Sequence, residues 1–194
     1  YKGKSIDYFG CSVSISGNYL VVGAQGVDHP YSIENVGRAY IYYHDPQRED
    51  DVWNLKTALT ITDATRSYYF GSSVSISGDK VVIGAFGDDE NGIMAGAAYI
   101  YGKDQGGSDN WGQVKKLVSS DISAASAFGR SVSIDGNNIV VSAKDVNNDN
   151  TGSLYLFSKD QGGADNWGEV KKHTTSNGDK SDIFDSTVAI GGDF

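Results

Sequence analysis

The sequence predicts an all-β fold, a partial β-propeller, because it contains a long internal repeat with the same strand pattern in each copy. Residues 70–85 read FGSSVSISGDKVVIGA, residues 9–24 read FGCSVSISGNYLVVGA and residues 128–143 read FGRSVSIDGNNIVVSA. A degraded copy, FDSTVAIGG, occupies residues 184–192, and the four leading phenylalanines are 61, 58 and 56 residues apart. Periods of this length are typical of propellers and solenoids.

Each repeat contains four segments that we interpret as strands. In the second repeat, the first strand alternates serine with Val74 and Ile76, and the second is the β-branched run at residues 81–83. Gly78 and the Asp that follows it suit a tight hairpin turn, because both residue types tolerate a positive φ. The third strand is rich in tyrosine, at residues 37–42, 96–101 and 152–157. The fourth starts at a tryptophan: Trp53, Trp111 and Trp167.

The arrangement of these strands favours a propeller with one blade per repeat. No segment has a sustained helical apolar period, and the chain contains 25 glycines. Four short antiparallel strands at even spacing are the usual composition of a propeller blade. A β-sandwich is the main alternative, although successive strand sets of a sandwich rarely share sequence. The small serines of the first strand indicate close packing between blades near the propeller axis.

The repeat spacing divides the chain into about three blades and the start of a fourth. We interpret residues 1–194 as a single propeller segment with blade repeats at approximately 9–69, 70–127, 128–183 and, incomplete, 184–194. Closed propellers have about 4–8 blades. Three blades would leave two lateral faces and their sheet edges open. We therefore expect the segment to be continuous with further blades in a longer chain or, as a second possibility, to complete a ring by oligomerisation.

The composition argues against nucleic-acid binding and against a membrane span. The net charge of −9 and the pI of about 4.6 argue against a nucleic-acid-binding face. The pairs Lys115-Lys116 and Lys171-Lys172 are interpreted as edge-strand lysines that discourage pairing between sheets. No run of about 18 apolar residues is present, so we predict no membrane span.

The repeated ends of the leading hairpin, Phe-Gly and Gly-Ala, together with the Gly-x-Ala-Tyr-Ile-Tyr strand, resemble the FG-GAP repeat. This repeat is the blade unit of integrin α-subunit propellers and of many bacterial and algal surface proteins. The resemblance covers essentially the whole chain and implies a propeller in an extracellular or cell-surface protein. The chain departs from the pattern in its third repeat, where Ser142-Ala143-Lys144 replaces the usual Gly-Ala-Pro, and the proline is missing from all three copies.

Calcium, the cofactor that the resemblance suggests, is not predicted at its usual place. Calcium-binding FG-GAP repeats carry an Asp-x-Asp-x-Asp-Gly-like insertion between the first two strands, which supplies several oxygen ligands. Here each of those turns, at residues 16–19, 77–80 and 135–138, contains at most one carboxylate. Asp88, Asp89 and Asn91 form the densest acidic loop and are the remaining metal candidates. We favour a solvated acidic loop, because the alternating register of carboxylates is missing.

One face of the propeller carries the long links between strands two and three and between strands four and one. These links occupy residues 25–36, 60–69, 86–95, 119–127, 144–151 and 174–183. They differ between repeats while the strands do not, and variable loops on a rigid scaffold are where binding function usually lies. Tyr31, Tyr68 and Tyr69 are the aromatic binding candidates on this face.

A nearly identical ten-residue segment, at residues 103–112 and 159–168, joins the third and fourth strands of two repeats. Its near-identity is explained by a demanding turn or by recent duplication. Trp111 and Trp167 are candidates for stacking on a sugar ring beside Asp and Asn. The alternative, which we favour, is that both indoles fill the gap between neighbouring blades.

The functional prediction is a non-enzymatic extracellular interaction or adhesion module that binds a protein partner through the long-loop face. We predict no catalytic residues, since no nucleophile elbow, phosphate loop or metal-ligating histidine pair is present. A glycan-binding propeller is the first alternative. An accessory propeller of a secreted polysaccharide-degrading enzyme is the second.

Overall fold

The twelve strands of the computed structural model form three four-stranded antiparallel sheets. The structure describes residues 6–28, 34–48, 52–61, 64, 66–144, 152–174 and 187–192. Within these ranges there is no helix. The prediction of an all-β fold built from four-stranded blades is confirmed.

Blades 1, 2 and 3 have the same strand order, and their strand lengths differ most in the first strand, which has 8, 5 and 4 residues. Blade 1 contains β1 (Phe9–Ser16), β2 (Tyr19–Ala24), β3 (Arg38–His44) and β4 (Trp53–Leu59). Blade 2 contains β5 (Ser73–Ser77), β6 (Lys80–Ala85), β7 (Ala97–Lys103) and β8 (Trp111–Leu117). Blade 3 contains β9 (Val132–Asp135), β10 (Asn138–Ala143), β11 (Ser153–Ser158) and β12 (Gly168–Thr174). In each blade, consecutive strands are hydrogen-bonded neighbours.

The leading hairpins and the outer strand pairs repeat the same local geometry. Gly17, Gly78 and Gly136 begin the hairpin turns with φ between 52° and 56°, as the turn chemistry predicts. A register shift between the third and fourth strands recurs in every blade, at residues 41–42, 100–101 and 156–157. A bulge at a constant position increases the local twist of each outer strand pair in the same way.

The apolar core lies between the blades. One cluster joins Val21 and Ile41 of blade 1 to Val74 and Ile76 of blade 2. A second cluster joins Val82 and Ile100 of blade 2 to the side chains of blade 3. The sheets therefore bury their apolar side chains against one another, as repeat units do when a single unit cannot bury its own face.

The serines of the inner strands do more than allow close packing. Ser12, Ser14 and Ser16 accept hydrogen bonds at 2.9–3.2 Å from the backbone N–H groups of residues 74, 76 and 78 in the next blade. Ser75 and Ser77 accept in the same way from Ile134 and Gly136. We call this set of bonds the serine ladder. It pairs the edge N–H groups of β5 and β9 with the preceding blade, because no neighbouring strand of their own sheets reaches them.

The ladder continues from blade 3 to the start of the fourth repeat. Val188, Ile190 and Gly192 donate their N–H groups to Ser131, Ser133 and Asp135 at 3.0–3.1 Å. Residues 187–192 thus lie beside β9 as the inner strand of a following blade would.

Candidate interaction face

The long-loop face is held together by backbone hydrogen bonds between consecutive blades. Tyr69 and Phe70 donate their N–H groups to the carbonyls of Asn35 and Val36 at 3.0 and 2.9 Å. One blade further on, the residues before and at Phe128 pair in the same way with Met94 and Ala95, both at 2.9 Å. The β2–β3 loop of blade 1 and the β6–β7 loop of blade 2 are therefore each tied to the segment that enters the next blade. The loops project from a rigid base.

Exposed apolar side chains lie on the β6–β7 loop of this face. The side chains of Ile93 and Met94 are 63% and 43% exposed. Their backbone is fixed, since the carbonyl of Ile93 accepts a hydrogen bond from Ala125 at 2.8 Å. Sequence reasoning selected aromatic residues on this face and missed this pair. The available signal was an Ile-Met dipeptide shortly after the acidic segment at residues 88–91.

Of the aromatic binding candidates on this face that the structure describes, Tyr69 is the one that lies at the surface. Its half-buried ring stacks on Phe86, with centroids 4.8 Å apart and an interplanar angle of 6°. The φ of Tyr69 is 55°, but Tyr8 and Ala127 occupy the same position in the other repeats with φ of 53° and 48°. The positive φ therefore belongs to the turn that precedes every Phe-Gly, and it does not mark a special site.

Tyr68 lies in the core instead of on the binding surface. It is buried in the cluster between blades 1 and 2, and its carbonyl accepts a hydrogen bond from Gly87 at 3.1 Å. A ligand would reach its ring only by separating the two blades. Tyr31, the third aromatic candidate, is outside the described residues.

Trp111 and Trp167 are buried between blades, which removes the indole faces from contact with a sugar. Trp111 packs edge-on against Tyr19 of blade 1, with ring centroids 5.4 Å apart. Trp167 belongs to the cluster between blades 2 and 3 and is fully buried. The sugar-stacking interpretation of these residues is therefore wrong in this structure. The indoles fill the gap between blades.

The repeated segment that contains these tryptophans is a structured turn. Asp104 and Asp160 accept hydrogen bonds from the N–H groups of residues 109 and 165, at 2.5 and 2.6 Å. The side-chain amides of Asn110 and Asn166 close the same loop on a backbone carbonyl in both copies. Asp109 also pairs with Lys56 on the outer strand of blade 1. These bonds account for the near-identity of the two segments.

The acidic loop at residues 88–91 is organised around a buried carboxylate. Asp88 is only 1% exposed. One of its oxygens accepts the N–H of Glu90 at 3.1 Å. The other accepts the hydroxyl of Tyr99 and lies 2.8 Å from the Lys116 ammonium. Because both oxygens already serve protein donors, the interpretation of this loop as fully solvated is wrong for Asp88.

The neighbouring acidic groups also have cationic partners. Asp89 lies 3.1 Å from Arg66, and Glu90 pairs with Lys116. Burial, the largest influence on the pKa of Lys116, lowers it, but hydrogen bonds to Asp88 and Glu90 outweigh burial and leave this pKa raised. Asn91 is exposed. Within the described ranges no group of three His, Cys, Asp or Glu side chains is arranged to hold a metal ion. That the turns between the first two strands hold no calcium stays a prediction.

Blades 1 and 3 replace this charge cluster in two different ways. In blade 1 the matching positions hold Val27 and Ala58 around Tyr40, so the same site is apolar. In blade 3 the hydroxyl of Tyr155 donates to Asp121 at 2.8 Å, and Lys172 lies 2.7 Å from the same carboxylate. The carboxylate comes there from the preceding interblade loop. The repeated tyrosine is therefore a framework residue whose partner varies.

The charge environment of Asp121 favours its ionised form. Burial is the largest influence and raises the pKa, but the hydrogen bonds from Lys172 and Tyr155 outweigh it and leave the pKa lowered. Burial and the hydrogen bond to Asp121 raise the pKa of Tyr155. The pair is an ion-pair and hydrogen-bond anchor between loop and sheet.

No described segment forms a helix with the length and apolar character that a membrane crossing requires. A search of curated proteins finds no match to this chain. The FG-GAP repeat model matches residues 2–42, 53–101 and 111–157. The second and third matches each run from the outer strand of one blade through the third strand of the next. Together the three matches cover more than half of the sequence, and the chain belongs to the FG-GAP repeat family.

Proposed function

We propose that this chain is a non-enzymatic interaction module of an extracellular or cell-surface protein, and that it binds a protein partner, in adhesion or a related role, through the long-loop face. Family membership supports a propeller-like interaction module. The observation that carries the proposal is the exposed Ile93-Met94 pair on a loop whose backbone is fixed. Large exposed apolar side chains on a rigid support are characteristic of protein contact sites.

Several features favour a protein over a glycan as the ligand. The indoles that would stack on a sugar are buried, and the stacked Tyr69–Phe86 pair offers one half-buried ring surface. Ile93 and Met94 are aliphatic side chains, which protein interfaces bury readily. The net charge of −9 further favours a basic partner surface.

The test is capture of proteins from the extracellular fraction of the source cells by the immobilised chain. The loop-face variant Ile93→Ser/Met94→Ser is compared with Val52→Ser, which alters an exposed valine beside the β3–β4 turn on the opposite face. We expect a partner that the control retains and the loop-face variant loses by at least about tenfold, equivalent to about 1.4 kcal/mol. Equal capture by both variants would refute the assignment of the face. Binding to a glycan array with no protein capture would replace the partner class.

A further inference from the structure

The long loop that leads into the third strand ends in the same way in repeats 1 and 3, but not in repeat 2. Its last polar pair, an acidic residue followed by an asparagine, is Glu34-Asn35 in repeat 1 and Asp149-Asn150 in repeat 3. In each case the asparagine lies two residues before the glycine that opens the third strand. Repeat 2 has Ile93-Met94 at the matching positions. The apolar pair is therefore a departure from the pattern of the chain's own repeats.

The backbone at the second of these positions suits asparagine and not methionine. Asn35 and Met94 both have a φ of 53°, in the left-handed region. Asparagine is enriched there because its short polar side chain can hydrogen-bond locally, whereas longer side chains raise the conformational energy. Hydrogen bonds to the carbonyls of Ile93 and Met94, at 2.8 and 2.9 Å, fix the backbone in this conformation. Met94 is therefore held where its side chain lowers the stability of the fold.

Burial does not offset this cost. Ile93 is 63% exposed and Met94 is 43% exposed, so both side chains gain only part of their transfer free energy on folding. The acidic residue that matches Ile93 in repeat 1, Glu34, is exposed as well, but its charge is hydrated. Strained backbone and exposed apolar groups that persist at a loss of stability are typical of functional positions.

An excess negative charge lies beside the apolar pair. Asp88, at 2.8 Å, and Glu90 both pair with the ammonium of Lys116, so two carboxylates share one positive charge. Asp88 is buried, whereas the side chain of Glu90 is 67% exposed and lies three residues before the pair. The neighbouring Asp89 pairs with Arg66 and adds no net charge. The exposed end of this cluster is therefore negative.

We propose that Ile93 and Met94 determine the specificity of the long-loop face by entering an apolar recess of the partner protein, and that a basic side chain borders this recess. The inference rests on the proposed function and adds the chemistry of the partner. The recess buries both aliphatic side chains, and the basic group pairs with Glu90. Because repeats 1 and 3 keep the acidic residue and the asparagine, the loop of blade 2 makes this contact.

The first measurement is thermal unfolding of two reciprocal variants of the full chain. Met94→Asn gives repeat 2 the residue of the other two repeats, and we expect the Tm to rise by about 2 °C. Asn35→Met places the longer side chain in the same left-handed backbone of blade 1, and we expect the Tm to fall by a similar amount. An unchanged or lower Tm for Met94→Asn would overturn the claim that Met94 is kept at a cost in stability.

The second measurement uses a phage-displayed library of random disulfide-closed peptides, selected on the immobilised full chain. We expect selected peptides that combine apolar residues with lysine or arginine. Their Kd should rise at least about tenfold for Met94→Asn and for Ile93→Glu, and severalfold for Glu90→Gln. Asn35→Met, the matched control in blade 1, should leave the Kd unchanged.

The two measurements separate this inference from the proposed function. Loss of peptide binding in the loop variants without a rise in Tm would overturn the cost in stability and leave the binding face in place. A rise in Tm with no peptide whose binding depends on the pair would overturn both the inference and the assignment of the face. Selected peptides that are acidic, or that bind Glu90→Gln as tightly as the parent, would overturn the basic border of the recess.

Discussion

Blades 1 and 2 carry nearly the same inner hairpin, but only the hairpin of blade 2 is buried on both sides. Phe70 is fully buried and Phe9, at the same repeat position, is 43% exposed. Some features of a blade are therefore encoded within its own repeat, and others depend on the blade beside it. Strand alternation, turn glycines and the register of residues 13–16 and 74–77 are the same in both blades. Burial, edge pairing and tight glycine contacts require an adjacent blade.

The largest expected difference between the two blades is at the leading phenylalanine. We expect Phe70→Ala to lower the free energy of unfolding by about 3–5 kcal/mol, because it leaves a cavity in the core between blades. Phe9→Ala should cost about 1 kcal/mol, since the half-exposed side chain gains only about half of its transfer free energy on folding. Urea unfolding of both variants measures the difference. Equal losses would contradict the difference in burial between Phe9 and Phe70.

The glycine that follows each phenylalanine gives the next comparison. Gly10→Ala should cost about 1 kcal/mol, from the left-handed backbone alone. Gly71→Ala should cost about 3 kcal/mol or more, because its β-carbon also meets the carbonyl of Arg38. Thermal unfolding of the two variants and of the unmodified chain measures the two losses of stability. Equal costs for the two substitutions would contradict the close contact between blades 1 and 2 at Gly71.

The buried charge cluster of blade 2 and its apolar counterpart in blade 1 allow a reciprocal exchange. Asp88→Val should cost about 2–3 kcal/mol, because it removes one of the two carboxylates that pair with Lys116 and the carboxylate that accepts the Tyr99 hydroxyl. The double variant Asp88→Val/Lys116→Ala reproduces the residues of blade 1 and should recover at least about half of that loss. A double-mutant cycle measures the coupling. Additive losses would contradict a shared cluster.

The smallest effect expected is the acid dependence contributed by Asp121 in blade 3. Its folded pKa is lowered, so this contribution is present above the unfolded carboxyl pKa of about 3.9 and is lost as the pH falls through the lower folded value. Partial exposure keeps it under about 1 kcal/mol. We expect Lys172→Met to flatten the slope of unfolding free energy against pH below about pH 4. Blade 1 lacks this cluster, so Val27→Ile should leave the slope unchanged.

Most of the framework was predictable because its signals are local. The alternation at Val74 and Ile76, the turn at Gly78 and the tryptophan that begins the fourth strand predict four strands per repeat. The serine ladder was not predicted, because its bonds join residues about 60 positions apart, and alternation alone does not distinguish packing from hydrogen bonding. The small serines of the first strand did predict close packing between blades.

The candidate interaction face was less predictable, because burial in a repeat protein depends on adjacent blades. Tyr68 and Tyr69 are consecutive tyrosines in one loop, yet only Tyr69 lies near the surface. Asp88 and Asp89 are consecutive aspartates, and Asp88 alone is buried against Tyr99. Composition cannot show which of two identical consecutive residues is buried, because their burial depends on the geometry of the interblade contact.

An adjacent blade, and not the hairpin itself, protects the inner strand from hydrogen exchange. Residue-resolved hydrogen exchange of the unmodified chain tests this claim. We predict that the amides of Val13, Ile15 and Gly17 exchange at least about a hundredfold faster than those of Val74, Ile76 and Gly78, since only the latter three are paired with the serine ladder. Equal protection in the two sets of amides would contradict the claim.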